Sequence, residues 1–412
     1  MKISPFAPDN FPHMPAIRGF DMATAEAGIR YQGRTDLWVL RGQPGTQVAG
    51  VFTRNAMPGA PVDWSRQALK SPMSADDPRL VVVNSGTANV FTGEVGRQAV
   101  VETAEAAAKC FGGVSEGVFL ASTGVIGEAL EASQVTAQFP TMKQEMLPDG
   151  WEAAARAIMT TDTYAKGATR QADIDGVPVT LNGIAKGSGM IAPDMATMLA
   201  FIATDAKLSQ ELLQQLLSEI TNVTFNAITV DSDTSTSDTV LLLASGAAEH
   251  APVSDISDPR LESFKTALQD IMQDLALQIV KDGEGASKFV TLTITGAVSD
   301  SSARKIGLSV ANSPLVKTAI AGEDANWGRL IMAVGKAGEP ADRDRLSIWM
   351  GPHLLAEKGG AATSYVEEQG ATYMKRSELE IRIDIGLSDG RATVWTCDFT
   401  HAYIDINADY RS

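Results

Sequence analysis

The stretch "KGSGMIAPDMATMLAFIATDA", Lys186–Ala206, opens with glycines, passes a Pro-Asp pair and closes in an apolar run. A threonine, Thr197, stands where loop gives way to that run, with a small residue, Ala196, before it. A threonine can act as a nucleophile without histidine when it heads a chain, because its own α-amino group then serves as the base. That amine has a reference pKa of about 7.7–8.0, so a useful share is neutral near physiological pH. An internal threonine gains the amine only if the bond before it breaks. Its hydroxyl attacks the preceding carbonyl, and water hydrolyses the resulting ester. Such attack calls for a small preceding residue and a constrained turn. Ala196, within a Gly/Pro-rich approach, suits both needs, although many loops hold an Ala-Thr pair.

The chain has 412 residues, too many for one ordinary core, which favours two domains or three over one. It is 44% hydrophobic and 20% charged, a globular composition. Its net charge of −16 argues against nucleic acid or an anionic membrane as partner. Two cysteines, Cys110 and Cys397, are too few for a disulfide framework and lack the neighbours of a metal site. The N-terminal "MKISPFAPDNFPHMPAIRGF" lacks a signal-peptide core, and no apolar run nears the roughly 18 residues of a membrane span. The expectation is a soluble cytoplasmic protein.

Helix and strand patterns are both clear. "GEVGRQAVVETAEAAAKCFGG" (93–113) is alanine-rich and closes on glycine, as a helix with a C-cap does. Ser209 caps the leucine-spaced "SQELLQQLLSEI" (209–220), and Asp258-Pro259 opens a helix expected to reach about Lys281. In "KFVTLTIT", Val290, Leu292 and Ile294 alternate with threonines. Leu379, Ile381, Ile383 and Ile385 alternate likewise and lead through "SDGR" into "ATVWTCDF", which reads as a hairpin. The alternation predicts antiparallel sheets with one buried face, and helices against them give a mixed α/β layered architecture. Domain boundaries are poorly marked. "PDGWEAAARAI" near 148 reads only as a connector.

Among motifs, "GVSEG" (113–117) matches the serine-hydrolase elbow, which needs a strand before and a helix after. Here the order is reversed, so Ser115 is set aside. His13, His250, His353 and His401 share no HxxE or HExxH pattern, and "GSG" (187–189) supplies no nucleotide signature. What remains is a density of Thr, Ser, Gly and Asp in "ASTGVIG" (121–127), "MTTDTYAK" (159–166) and "VDSDTSTSDT" (230–239). Taken singly, each is turn and cap chemistry. Together, beside a candidate nucleophile, they point to a site.

The segment "GIAKGSGMIAPDMATMLAFIATDA" resembles the self-cleaving region of the ornithine acetyltransferase (glutamate N-acetyltransferase) family. The resemblance covers essentially the whole chain, through "AGIRYQGRTDL", "VAGVFTRN", "VVNSGTAN", "ASTGVIGE", "IMTTDTYAK", "ITVDSDTSTSDTVLLL", "KDGEGASKF", "DANWGRL" and "INADYRS". It implies autocatalytic cutting of the Ala196–Thr197 bond. Residues 1–196 would form one chain and 197–412 the other, with two such pairs associating. It implies a fold like that of N-terminal-nucleophile enzymes, with stacked sheets between helical layers and a smaller second domain. It implies acetyl transfer from N-acetylornithine to glutamate in arginine biosynthesis, with no cofactor and with acetyl-coenzyme A as a co-substrate in some members.

Carried over by position, Thr197 becomes the acetylated nucleophile, and Thr123 and Gly124 match the oxyanion-hole pair. Lys186, Glu284, Asn407 and Ser412 match substrate-binding positions, as does Thr160 or Thr161, with Thr160 preferred. Lys186 suits a substrate carboxylate, and Glu284 the side-chain cation of ornithine. The sequence departs from the family's usual residues at Thr87, Ala165, Ser232, Ser237 and Ser412, which bears on substrate preference. Two competing readings are a self-processed amidase or aminopeptidase that passes the acyl group to water, and a non-catalytic ornithine-binding paralogue that stays uncut.

Overall fold

The computed structural model of the protein describes residues 2–72, 74–192 and 198–408. Ala196, Thr197 and Ser412 therefore lie outside the described residues. Two sheets stack face to face. One has four strands in the order Phe20–Ala25, Leu37–Gly42, Arg79–Thr87, Val118–Val125. The other has five, in the order Gln47–Phe52, Thr239–Ala244, Leu199–Thr204, Val177–Lys186, Lys166–Ile174. Their facing side chains form one core, in which Trp38 meets Phe201 edge to face at 5.0 Å.

Helices cover the outer faces. Helix Gly93–Phe111 lays Ala99, Val100, Ala104, Ala107 and Phe111 on Val39, Leu80 and Val82 of the first sheet. Its chain reverses at Gly112, whose φ of 99° is open to glycine, as the sequence predicts. Helices Gln210–Val223 and Glu262–Lys281 cover the second sheet. Ser209 caps the former by accepting from the Leu212 amide. Asp258 accepts from the Arg260 amide in a short 3₁₀ turn, Pro259–Leu261, that opens the latter. The result is a four-layer helix–sheet–sheet–helix stack. A third, six-stranded sheet with helices Asp300–Ala311, Pro314–Ala321 and Trp327–Gly335 has its own core and forms the smaller second unit.

Three sequence expectations need correction. The sheets are mixed: Arg79–Thr87 runs parallel to Val118–Val125, and Leu199–Thr204 parallel to Thr239–Ala244. These strands lie between a second sheet and a helical layer, so they are buried along most or all of their length and need no polar face. The "SDGR" hairpin is also absent. Strand Phe289–Ala297 lies between Glu378–Asp384, to which it is parallel, and Gly390–Cys397, to which it is antiparallel. Its Val290, Leu292 and Ile294 sit level with Leu379, Ile381 and Ile383, so inserting it buries three apolar rows in one core. Ile385, Leu387 and Ser388 then bond over its end to Thr295 and Gly296. Finally, the supposed connector near 148 is helix Trp151–Ala157, whose Trp151 is buried between the sheets.

The core of the second sheet depends on Leu275, fully buried against Gly183, where a methyl group added to the glycine would approach its Cδ1 to 2.8 Å. Leu275→Ala should lower the unfolding free energy by about 2–5 kcal/mol, read from the midpoint and slope of a denaturant titration.

Candidate functional site

Strand Val118–Val125 and strand Val177–Lys186, one from each stacked sheet, bring Thr123, Gly124 and Lys186 to a common cavity of about 420 Å³. Thr160, Thr161, Glu284 and Asn407 also line it. Seven positions named from sequence thus meet at one place. Lys186 pairs with Leu199 across the sheet, so residues 187–198 connect two paired strands. The described residue beside the nucleophile candidate, Met198, donates its amide to Asp238 Oδ1 at 2.8 Å. Burial raises the Asp238 carboxyl well above the usual carboxylate range.

The walls are shaped by missing side chains. Gly124 has φ 133°, and a Cβ there would come within 2.3 Å of the Gly86 carbonyl carbon on the parallel neighbour. A Cβ on Gly189 would strike the Glu284 carboxyl at 2.4 Å. Glycine is required at position 124, where the φ and the facing backbone both exclude a side chain, whereas a side chain at 189 would displace the Glu284 carboxyl.

Lys186 is buried and donates to Thr123 Oγ1 at 3.3 Å. No carboxylate among the described residues lies within ion-pair distance of it. Burial, with the charge of Lys166, pushes its ammonium pKa down against the attraction of Asp162 and Glu284. Because Lys186 fills a lone pair of Thr123 Oγ1, the Thr123 proton is left to donate elsewhere.

The loop carrying Thr160 and Thr161 is held by a buried charge relay that sequence reading missed. Asp162 accepts from the Thr160 amide (2.9 Å), the Gly187 amide (2.6 Å) and Lys166 Nζ (2.7 Å). Lys166, with no exposed surface, also donates to Asp282 Oδ2 at 2.6 Å. Although burial opposes it, Lys166 and Lys186 together hold the Asp162 carboxyl far below its ordinary value. The signal was present in "TTDTYAK", where Asp162 and Lys166 are four residues apart. Nothing local showed that Asp282 completes the pair.

Glu284 follows helix Glu262–Lys281. Its amide donates to Ser188 O at 3.0 Å, and its Oε2 accepts from Asn407 Nδ2 at 2.7 Å. Asp231 accepts from the Met190 (2.6 Å) and Ile191 (2.9 Å) amides and from the Tyr403 hydroxyl at 3.3 Å. Asp231 and Tyr403 were also missed. The departures from the family pattern find physical settings. Ser232 has φ 67°, which explains the usual glycine. Thr87 donates to the Glu128 carbonyl at 2.6 Å, Ala165 joins the intersheet core, and Ser237 lines the cavity. Ser115 lies in a 3₁₀ turn before a strand and hydrogen-bonds to its neighbour Glu116, away from the cavity. Among the described residues no group of three or more His, Cys, Asp and Glu is arranged to hold a metal ion.

A layered α/β protein with a threonine-rich cavity holding both a lysine and a glutamate is the class these features define. The sequence matches the ArgJ family over residues 21–412, and the chain belongs to that family. It is 57% identical to the arginine biosynthesis bifunctional protein ArgJ of Mesorhizobium japonicum, over 100% of this chain and 99% of that protein. Among solved structures, ArgJ from Bacillus halodurans is 40% identical, covering 50% of this chain and 95% of that one, with TM-score 0.48. Ornithine acetyltransferase from Mycobacterium tuberculosis, complexed with ornithine, is 35% identical, covering 43% and 93%, with TM-score 0.37.

Burial pushes the Asp231 carboxyl up to about 6, against its backbone hydrogen bonds. A carboxyl raised above its unfolded value of about 3.9 binds more protons in the folded state. Its share of stability is therefore present at low pH and is lost as pH rises from about 4 to about 6. The stability of the protein minus that of Asp231→Asn, measured in denaturant from pH 4 to 7, should fall across that window and level off above it. A flat difference would contradict the assignment.

Proposed function

We propose that this chain is an acetyltransferase of arginine biosynthesis that moves acetyl from N-acetylornithine to glutamate, giving ornithine and N-acetylglutamate. The observation that carries the reading is the single cavity in which Lys186, Glu284, Asn407, the Thr160–Thr161 pair and the Thr123–Gly124 pair converge. A buried ammonium with no carboxylate partner among the described residues suits the substrate's α-carboxylate, and a carboxylate suits the ornithine side-chain cation. Family membership and the matched motifs at Ala196–Thr197 support the nucleophile, and the stacked sheets suit an N-terminal-nucleophile-like fold.

In this mechanism the Thr197 hydroxyl first attacks the Ala196 carbonyl. Hydrolysis of the ester frees the Thr197 amine and leaves chains 1–196 and 197–412, which stay together and associate as two pairs. The amine then takes the hydroxyl proton as Thr197 attacks the acetyl carbonyl of N-acetylornithine. Negative charge on the tetrahedral oxygen meets the Thr123 hydroxyl and Gly124 amide. Collapse expels ornithine, whose nitrogen receives the proton, and leaves acetyl-Thr197. The glutamate amine attacks that ester, and Thr197 regains its proton. No metal or organic cofactor enters; acetyl-coenzyme A is an alternative donor to the same threonine. Ser412 would complete the substrate contacts. The setting is the cytoplasm, in keeping with the absence, among the described residues, of any helix long and apolar enough to cross a membrane.

Under denaturing conditions the protein should run as two fragments, the second beginning Thr-Met-Leu-Ala. Thr197→Ala should give one uncut, inactive chain, and Thr197→Ser should cut at least in part. N-terminal sequencing and acetyl-transfer assays check all three, and wild-type transfer by Thr197→Ala would end the threonine mechanism. Thr123→Ala should slow acetylation about a hundredfold or more, corresponding to about 2.7–4 kcal/mol of barrier, with the fold intact. Parallel-line initial-rate kinetics with N-acetylornithine and glutamate distinguish transfer to an amine from transfer to water, the amidase alternative. Binding of ornithine by an uncut chain without turnover would identify the non-catalytic alternative.

A further inference from the structure

Asn407 reaches Glu284 from helix His401–Ala408, and that helix buries none of its side chains. A helix of eight residues is not stable by itself in water, so its placement must come from specific contacts. Thr400 Oγ1 at its start donates to the Gly285 carbonyl at 2.7 Å. Gly285, at φ 72°, lets the helix approach, since a Cβ there would lie 2.7 Å from the Tyr403 amide nitrogen. The Tyr403 ring stacks on Phe399 at 4.8 Å, and the buried Lys317 ammonium lies 4.7 Å from the Phe399 ring centroid. The hydroxyl of Tyr403 donates to Asp231 Oδ2 at 3.3 Å. The same carboxylate accepts from the amides of Met190 and Ile191, and Met190 is itself a wall of the cavity with φ 56°.

Tyr403 and Asp231 thus join two walls that are far apart in sequence: the turn after Gly189 and the C-terminal helix. We propose that Tyr403 is a positioning residue, whose bond to Asp231 fixes the C-terminal helix and so sets where Asn407 meets Glu284. Asn407 Nδ2 donates to Glu284 Oε2 and, at 3.0 Å, to the Tyr403 carbonyl, so Asn407 keeps its amide oxygen to accept from an ammonium. Correct docking of the helix therefore governs recognition of the substrate side chain more than the chemical step. This inference rests on the reading that the Glu284 end of the cavity takes that side chain.

The test is Tyr403→Phe, which keeps the ring on Phe399 and removes only the hydroxyl. Hydrogen exchange of residues 401–408 should speed up by about fivefold or more, while helix Glu262–Lys281 exchanges as before. KM for N-acetylornithine should rise about fivefold, with kcat changed less than twofold. Asn407→Ala serves as the reference. If it raises KM and Tyr403→Phe does not, the positioning role is overturned while the substrate reading stands. If Asn407→Ala leaves KM unchanged, the substrate reading of this end fails and the proposal fails with it. Unchanged exchange in 401–408 of Tyr403→Phe, or a fall in kcat with KM constant, also overturns it.

Discussion

The site hangs on one buried ion arrangement, Lys166 between Asp162 and Asp282. An ammonium with no exposed surface is tolerated only where opposite charges and hydrogen bonds replace its water. The two carboxylates do this, and each spends its remaining acceptors on backbone or hydroxyl groups of the site. Asp162 takes the amides of Thr160 and Gly187, and Asp282 takes the amide and hydroxyl of Thr163. The Asp282 carbonyl accepts from Ser188 Oγ, and the Ser188 carbonyl accepts from Glu284. The threonine loop, the turn after Lys186 and the end of the long helix are thereby indexed to one cation. Removing either carboxylate would leave buried charge uncompensated, which makes this centre intolerant of partial change.

Around that centre, geometry is set by what is left out. Gly124 and Gly86 let two parallel strand ends close up beside Thr123, and Gly189 leaves room for the Glu284 carboxyl. Gly285 does the same for the C-terminal helix. Charged groups can then face a small cavity at short range. Asp162, Lys166 and Lys186 influence one another's protonation, and the charge of Glu284 acts on Lys186, because burial leaves little solvent screening among them.

The errors in reading the sheets have a common cause. Alternation in Leu379–Ile385 and in "ATVWTCDF" identifies strands and their inward faces, and both are strands. It carries no information about which neighbour each strand takes. A strand from nearly a hundred residues earlier, Phe289–Ala297, satisfies both edges at once with matching apolar rows. Turn chemistry in "SDGR" therefore lost to a longer-range gain in burial. Trp151 shows the same override, since a short alanine-rich segment with little pattern of its own became part of the intersheet core.

Local sequence sufficed wherever the controlling interaction spans a few residues: the caps at Ser209 and Asp258, the helix stop at Gly112, and the pairing of helical and strand periods with their elements. Family motifs named Thr123, Gly124, Thr160, Thr161, Lys186, Glu284 and Asn407, and these share one cavity. The partners that hold them lay beyond the reach of sequence. Asp282 is 116 residues from Lys166, and Tyr403 is 172 residues from Asp231. A buried charge or a docking hydroxyl looks, along the chain, like any surface Asp, Lys or Tyr. Only the folded stack of sheets, by excluding water at those points, turns each into a required partner.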